Sequence, residues 1–195
     1  MDVQLENNLL LLRNLKLSDA DNMVKNIHKD VYENTICIPW PYKKNDAIEY
    51  IKKSRKRFKN NTRFTFGIIL KENNELIGKI SISVDLTHKT SCIGYWIGKD
   101  HKRNGYMKQS IEMILKFGFQ KLKMNRIEAY VFTHNKASYK LLEKCDFKLE
   151  GIKRDAFKKK NKYIDAYQYS ILKKDYNKSS KTRKLSNKIK RKMIQ

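Results

Sequence analysis

The 195-residue chain is poor in acids, cysteine and proline. Twenty Asp and Glu stand against 44 Lys and Arg, leaving a formal net charge of +24. Its three cysteines, Cys37, Cys92 and Cys145, are odd in number and widely spaced. They form neither a disulfide framework nor a CxxC metal knuckle, and they fit a reducing, cytoplasmic setting. His28, His88, His101 and His134 are scattered without H-x-x-x-H or His–Cys spacing, so no metal site is expected. No run of about 18 apolar residues exists, which excludes a helical membrane span. Met1 to Leu12 has no basic n-region and no small-residue cleavage site, so no secretory signal is expected there. What the chain does have is 40% hydrophobic residues, including 21 aromatics. That is enough to bury one core and too much for wholesale disorder.

The charge points two ways. A +24 surface suits a polyanionic partner. Yet Lys, Asn and Ile make up 72 of the 195 residues, a bias that A/T-rich codons would produce. Codon drift explains Lys over Arg better than it explains the shortage of acids. Eight bases and no acid fall in residues 177–195, leaving +16 on residues 1–176. The expected division is therefore a domain over 1–176 and a basic, disordered tail over 177–195. In that tail Leu185, Ile189 and Met193 recur at i, i+4, i+8, the spacing of a helix that forms on a partner.

Periodicity gives the order β-α-α-β-β-β-α-β-α-β-β: one mixed sheet with helices packed on it. Strands are expected at 9–13, 64–70, 76–84, 92–98, 126–132, 148–158 and 162–172. Helices are expected at 18–28, opened by a Ser18–Asp21 capping box, at 46–59 capped by Asn45, at 105–122 and at 135–145. Pro39 and Pro41 hold residues 38–42 extended.

Two segments carry chemistry. In Gly94-Tyr95-Trp96-Ile97 … Lys102-Arg103-Asn104-Gly105-Tyr106-Met107 a buried strand enters a basic loop, and Gly105 opens a helix. Free N–H groups at a helix start bind anions, Gly105 permits close approach to the backbone, and Lys102 and Arg103 add charge. In Asn135-Lys136-Ala137-Ser138, Asn135 caps a helix and Ser138 lies one turn inside. Taken singly, each segment also reads as an ordinary turn or cap.

In this order and spacing the segments resemble the GNAT superfamily of acetyl-coenzyme A N-acetyltransferases, most closely its RimJ/RimL-type branch. Ile38-Pro39-Trp40-Pro41-Tyr42, Gly151-Ile152-x-Arg154-Asp155 and Tyr163-x-Asp165 extend the likeness to about residues 8–176. The resemblance implies a mixed α/β fold: a mostly antiparallel sheet splayed between two parallel strands, with helices on both faces. It also implies acetyl-CoA as cosubstrate. Lys102, Arg103, Asn104, Gly105, Tyr106 and Met107 would hold the pyrophosphate. Tyr95, Trp96 and Ile97 would pair with the pantetheine arm and steady the oxyanion through backbone groups, and Asn135 would bond the arm. Ser138 would stand near the sulfur as general acid. The chain departs from the family pattern at Asp100 and Arg103 in the loop, Leu142 in the later helix, Asp146 before Phe147, and Phe157, where relatives of this branch place a possible base. No general base is identified; Asp165 and Asp85 are the carboxylates to test first.

The implied reaction is attack of a primary amine on the thioester. An α-amine near pKa ~8 asks for less base catalysis than a Lys amine near ~10.4, which favours a protein N-terminus, such as a ribosomal protein's, as acceptor. Two other readings stand beside it: acetylation of a small amine such as an antibiotic or polyamine, and a ribosome- or RNA-docking module without chemistry. The basic tail suits ribosome or RNA contact, and a homodimer is an open expectation.

Overall fold

The computed structural model describes residues 3–179. The chain opens with two short strands, β1 (Leu5–Glu6) and β2 (Leu10–Asn14), followed by α1 (Ala20–Asn26), α2 (Lys29–Glu33) and α3 (Lys44–Lys59). A meander follows, made of β3 (Arg63–Leu70), β4 (Glu75–Asp85) and β5 (Thr90–Ile97). Then come α4 (Tyr106–Lys116), β6 (Arg126–Phe132), α5 (Lys136–Lys144), β7 (Lys148–Lys159) and β8 (Lys162–Leu172). Residues 173–179 form α6. The domain boundary expected after Tyr176 therefore falls inside a helix, and residues 180–195 of the tail lie outside the described residues.

All eight strands join one sheet in the order β1-β2-β3-β4-β5-β6-β8-β7. Every pairing is antiparallel except β5 with β6. The mixed, splayed α/β architecture expected from the sequence is the one observed.

The two faces of the sheet pack different helices. One buries Phe66, Ile80 and Ile82 with Ile111 and Ile114 of α4 and Leu142 of α5. The other buries Leu76 and Trp96 with Met23 of α1 and Ile51 of α3. Each such aliphatic or aromatic side chain, withdrawn from water, contributes about 1.5–3 kcal/mol. Phe58, Phe64, Phe66 and Phe117 meet edge to face, with centroids 4.9–5.8 Å apart, a geometry their quadrupoles favour. The helix expected over 105–122 ends in a wider turn, Phe117–Lys121. There a Cβ on Gly118 would stand 2.7 Å from Ile127 Cδ1; the glycine lets the turn sit directly on β6.

Three local expectations need correction. The Ser18–Asp21 box does not form. Asp19 does the work instead, accepting from the Lys16 N–H at 2.7 Å and from Arg13 at 2.8 Å. Asn45 is not a cap either: α3 begins one residue earlier, and Asp46 accepts from the Lys43 N–H at 2.8 Å. In both places an Asp three residues in satisfies the N-cap amide, one of the two bonds of a capping box. The five-residue α2 was not read at all, because one turn and a half shows no periodicity.

The β6–β8–β7 end is tied by charge. Arg126 bonds Glu128 at 2.7 Å and also pairs with Glu150, whose carboxylate accepts from Ser170 at 2.7 Å. Arg126 pulls the Glu150 carboxyl down to about 2, with burial acting against it and Ser170 assisting. A depressed carboxyl stabilises the fold above its ordinary pKa, and that contribution is lost as pH falls from about 4.5 towards 2. Glu150 is partly exposed, so solvent screening limits the effect to about 0.5–1 kcal/mol. Urea unfolding between pH 5 and 2 should show a shallower acid limb for Glu150→Gln than for the natural chain; equal limbs would remove this pair from the account.

Candidate active site

β5 and β6 bond for only four residue pairs, from Thr90↔Arg126 to Ile93↔Ala129. Beyond that each strand follows its other neighbour: β5 stays with β4 to Gly78↔Ile97, and β6 with β8 to Phe132↔Ala166. Because the sheet twists, strands held on opposite sides diverge. A wedge opens between 94–97 and 130–132, and the backbone groups on its edges need partners. The wedge lies within one continuous cleft of about 1710 Å³.

At one end of the cleft stands the start of α4. Gly105 occupies its N-cap position at φ +76°, left-handed, where an L side chain is strained. The first turn holds no acidic residue and no side chain caps it. The first bond back to the cap is Gln109 N–H to the Gly105 carbonyl at 3.1 Å. The N–H groups of Tyr106, Met107 and Lys108 thus precede the helical ladder and are free to bind an anion. Lys102, Arg103, Gly105, Tyr106 and Met107 line the cleft; Asn104 does not and sits exposed in the loop. Arg103 itself has φ +65°, a left-handed conformation that glycine favours. Lys102 is not left free for phosphate: its ammonium is paired with Asp30 of α2. Burial pushes against the charged form of Asp30, but Lys102, the Val31 N–H and His28 outweigh it and hold the carboxyl low.

At the middle of the wedge α5 begins. Asn135 Oδ1 accepts from the Ser138 N–H at 3.2 Å, so Asn135 caps the helix as expected. Ser138 Oγ shares a 2.9 Å hydrogen bond with the Tyr95 hydroxyl, a contact across 43 residues that the sequence did not suggest. Burial pushes the Tyr95 phenol well above its ordinary pKa. Gly94 and Trp96 point to the opposite face, and Trp96 packs beneath α1 and α3.

The two carboxylates expected as bases are engaged elsewhere. Asp85 lies beside Thr90, at the end of β5 away from the wedge. Its Oδ1 accepts from the Thr87 and His88 N–H groups at 3.0 and 3.1 Å, so it is a turn residue and is dropped as a base. Asp165 is nearer, but its Oδ1 accepts from the Asp155 N–H at 2.8 Å and holds a bulge in β7 where Asp155 has φ +50°. It does not line the cleft. Where a base was sought, Phe157 lines the wall with Tyr130 and Phe132, its centroid 6.2 and 6.0 Å from theirs. Burial and then Glu128 push the Cys92 thiol up to about 11, which keeps it from acting as a thiolate.

The other end of the cleft is polar and lies on the α3 side of the sheet. Arg63, Thr65, Lys79 and Ser81 line it from alternate positions of β3 and β4. Arg63 fell outside the expected strand, which began at Phe64, and Thr65, Lys79 and Ser81 lay inside the expected strands without being marked as site residues. The available signal was a polar residue at every second place in strands otherwise apolar, a period-2 pattern.

An acetyltransferase (GNAT) domain model matches residues 10–148. The chain belongs to the GNAT acetyltransferase family. It is 31% identical over 170 residues to the uncharacterized N-acetyltransferase YoaA of Bacillus subtilis, covering 87% of this chain and 96% of that protein. Against the uncharacterized N-acetyltransferase p20 of Bacillus licheniformis it is 38% identical over 112 residues, 57% of this chain and 63% of that protein's length. Among solved structures, RimL, described as a ribosomal L7/L12 alpha-N-protein acetyltransferase, superposes with TM-score 0.79 at 19% identity, covering 88% of this chain and 95% of that one.

The GNAT protein is thus an acetyl-CoA-dependent N-acetyltransferase. The residues present fit the cosubstrate. An uncapped, acid-free helix start offers N–H groups to a pyrophosphate, and nothing lies nearer than 3.9 Å to the place a Cβ on Gly105 would take. Gly105→Glu should lower acetyl-CoA affinity at least about 100-fold, because it puts bulk and negative charge at an anion-binding helix start. Gly105→Ala, carrying only the backbone strain, should cost about 1–2 kcal/mol of stability and much less affinity. Calorimetric titration with acetyl-CoA, with circular dichroism to check folding, separates the two effects.

Proposed function

We propose that this GNAT protein acetylates an α-amino group, in the first instance a protein N-terminus. The domain runs into α6, residues 173–179, with the basic stretch beyond. Acetyl-CoA supplies an activated acetyl group as a thioester; the amine attacks its carbonyl carbon and the thiolate leaves. The α4 start with Arg103, Gly105, Tyr106 and Met107 holds the pyrophosphate. The open edge of β5 at Tyr95, Trp96 and Ile97, with Asn135, holds the pantetheine arm in the wedge.

Ser138 donates a proton to the leaving thiolate, and the proton the amine loses as the amide forms passes through water to restore the hydroxyl. Its bond to Tyr95 supports this role. A phenol whose pKa is raised by burial stays protonated across the working pH range, so it can donate to the Ser138 oxygen while Ser138 turns its own hydrogen to the sulfur. General acid help of this kind is worth about 10²–10⁴-fold.

The observation that carries the α-amine reading is the absence of a free carboxylate among the described residues that line the cleft. Asp30 pairs with Lys102, Asp46 accepts from Lys43, and Glu49 stands 3.5 Å from Lys53. Without a base, the acceptor must be neutral in useful proportion on its own. Nearby cations such as Arg63 and Lys79 shift an amine further towards its neutral form. They also repel a polyamine or aminoglycoside, which sets the small-molecule reading second.

Thiol-release kinetics over peptide N-termini, polyamines and aminoglycosides tests this, with peptides expected to lead in kcat/KM; turnover confined to the polycations would overturn it. Ser138→Ala should lower kcat about 10²–10³-fold, within the range of general acid catalysis, with little change in KM for acetyl-CoA. Tyr95→Phe should cost about tenfold alone and almost nothing in the Ser138→Ala background, since residues acting as one unit are not additive.

A further inference from the structure

The acceptor end of the cleft contains a group of side chains that take no part in making or breaking bonds during acetyl transfer. Thr65 is 2% exposed and lines the cleft; its Oγ1 makes no hydrogen bond of normal length among the described residues, though it stands close enough to the Tyr50 phenol to favour the ionised form of that group. A buried hydroxyl is seldom left without a partner. Arg63 flanks it two residues earlier on the same face of β3, and on β4 Ser81 pairs with Thr65 while Lys79 pairs with Gly67. Among the described residues neither Arg63 nor Lys79 has a carboxylate within ion-pair distance. Ser81 Oγ is already spent on the Gly94 carbonyl at 3.2 Å. The Lys79 ammonium stands 5.5 Å from the centre of the Tyr50 ring. Burial pushes the Tyr50 phenol up, but Lys79, Arg63 and Thr65 outweigh it and hold it below its ordinary value, a sign of how positive this corner is.

The place of the corner relative to the wedge follows from the sheet. Thr65 pairs with Ser81 and Ser81 with Gly94. Two inter-strand steps put Thr65 about 10 Å from Gly94. An extended chain covers about 3.3–3.6 Å per residue, so a chain entering the wedge by its amine reaches the corner with its second or third residue.

We propose that Arg63, Thr65 and Lys79 form an anion subsite for the acceptor, and that the preferred substrate carries a carboxylate at its second or third residue. The subsite rests on the α-amine reading and narrows it. Two cations and a hydroxyl donor suit a carboxylate's two oxygens. That carboxylate is either an Asp or Glu side chain of a longer chain or the terminal group of a tripeptide. A free amino acid is too short to span the gap.

The test uses the full chain and thiol-release kinetics with amidated peptides Ser-Ala-Glu-Ala-Ala, Ser-Ala-Gln-Ala-Ala and Ser-Ala-Lys-Ala-Ala. Their kcat/KM should fall in that order, with at least about tenfold between Glu and Gln, carried by KM and diminishing with salt. Arg63→Gln and Lys79→Gln should each bring the Glu/Gln ratio towards one, and Arg63→Glu should move the preference towards Lys. Ser-Ala-Ala as free acid against its amide asks whether a terminal carboxylate serves as well. Equal rates on the three peptides, or variants that lower all three alike, would overturn the subsite while leaving the α-amine reading intact. If no peptide turns over, the α-amine reading fails. Calorimetry of the Glu and Gln peptides on the coenzyme A-loaded protein then still decides the subsite: tighter Glu binding that Lys79→Gln abolishes supports it, and equal binding overturns it.

Discussion

The structure depends on two parallel strands that stop pairing. β5 and β6 share four residue pairs and then part, because each is bound more extensively to an antiparallel neighbour on its outer side. Backbone amides and carbonyls cannot be left bare in a folded interior, so the edges facing across the wedge are built to receive an extended ligand. The helix start at Gly105, the capped turn at Asn135 and the polar corner on β3 and β4 all border this opening. The cleft is thus a property of the sheet's connectivity, and its side chains refine what enters it.

The wedge also separates two kinds of chemistry by face. Tyr95 points towards the α4–α5 side and meets Ser138 there, while Gly94 and Trp96 point to the side of α1 and α3. Strand alternation alone puts Tyr95 with Ser138 on one face and Thr65 with Lys79 on the other, joined only where the strands diverge. The net charge of +24 divides accordingly. Lys102 is spent on Asp30; Arg103 and the α4 amides face one end of the cleft; Arg63 and Lys79 face the other.

Much of the fold was legible in the sequence, and for a local reason. β6 was read to the residue, and α5 with its Asn135 cap to within one, since alternation, apolar spacing and cap chemistry are short-range signals. Reading failed where a competing local signal existed or none did. Asp19 and Asp46 took the capping work from Ser18 and Asn45, because either neighbour satisfies the same pattern. In α2 there were too few residues to show a period. The candidate site was legible in part: the resemblance drew attention to Gly105, Asn135 and Ser138, all of which border the cleft. Asn104 and Asp85 were drawn in by proximity in sequence and by charge, neither of which reports direction.

By itself the sequence determined most of the order of strands and helices (though not β1, α2 or α6), the glycine at the head of α4, and the capped start of α5. It also carried enough of the family's motifs to identify an acetyl-CoA-dependent enzyme. Only the tertiary structure decided that Ser138 has Tyr95 beside it, that Asp165 serves a bulge, that Lys102 belongs to Asp30, and that Arg63, Thr65 and Lys79 share a corner. The difference is physical. A cap or a turn is settled by residues three or four apart, whereas the partner of a side chain across a sheet depends on which strands pair and in what register, and that is fixed by the packing of the whole domain.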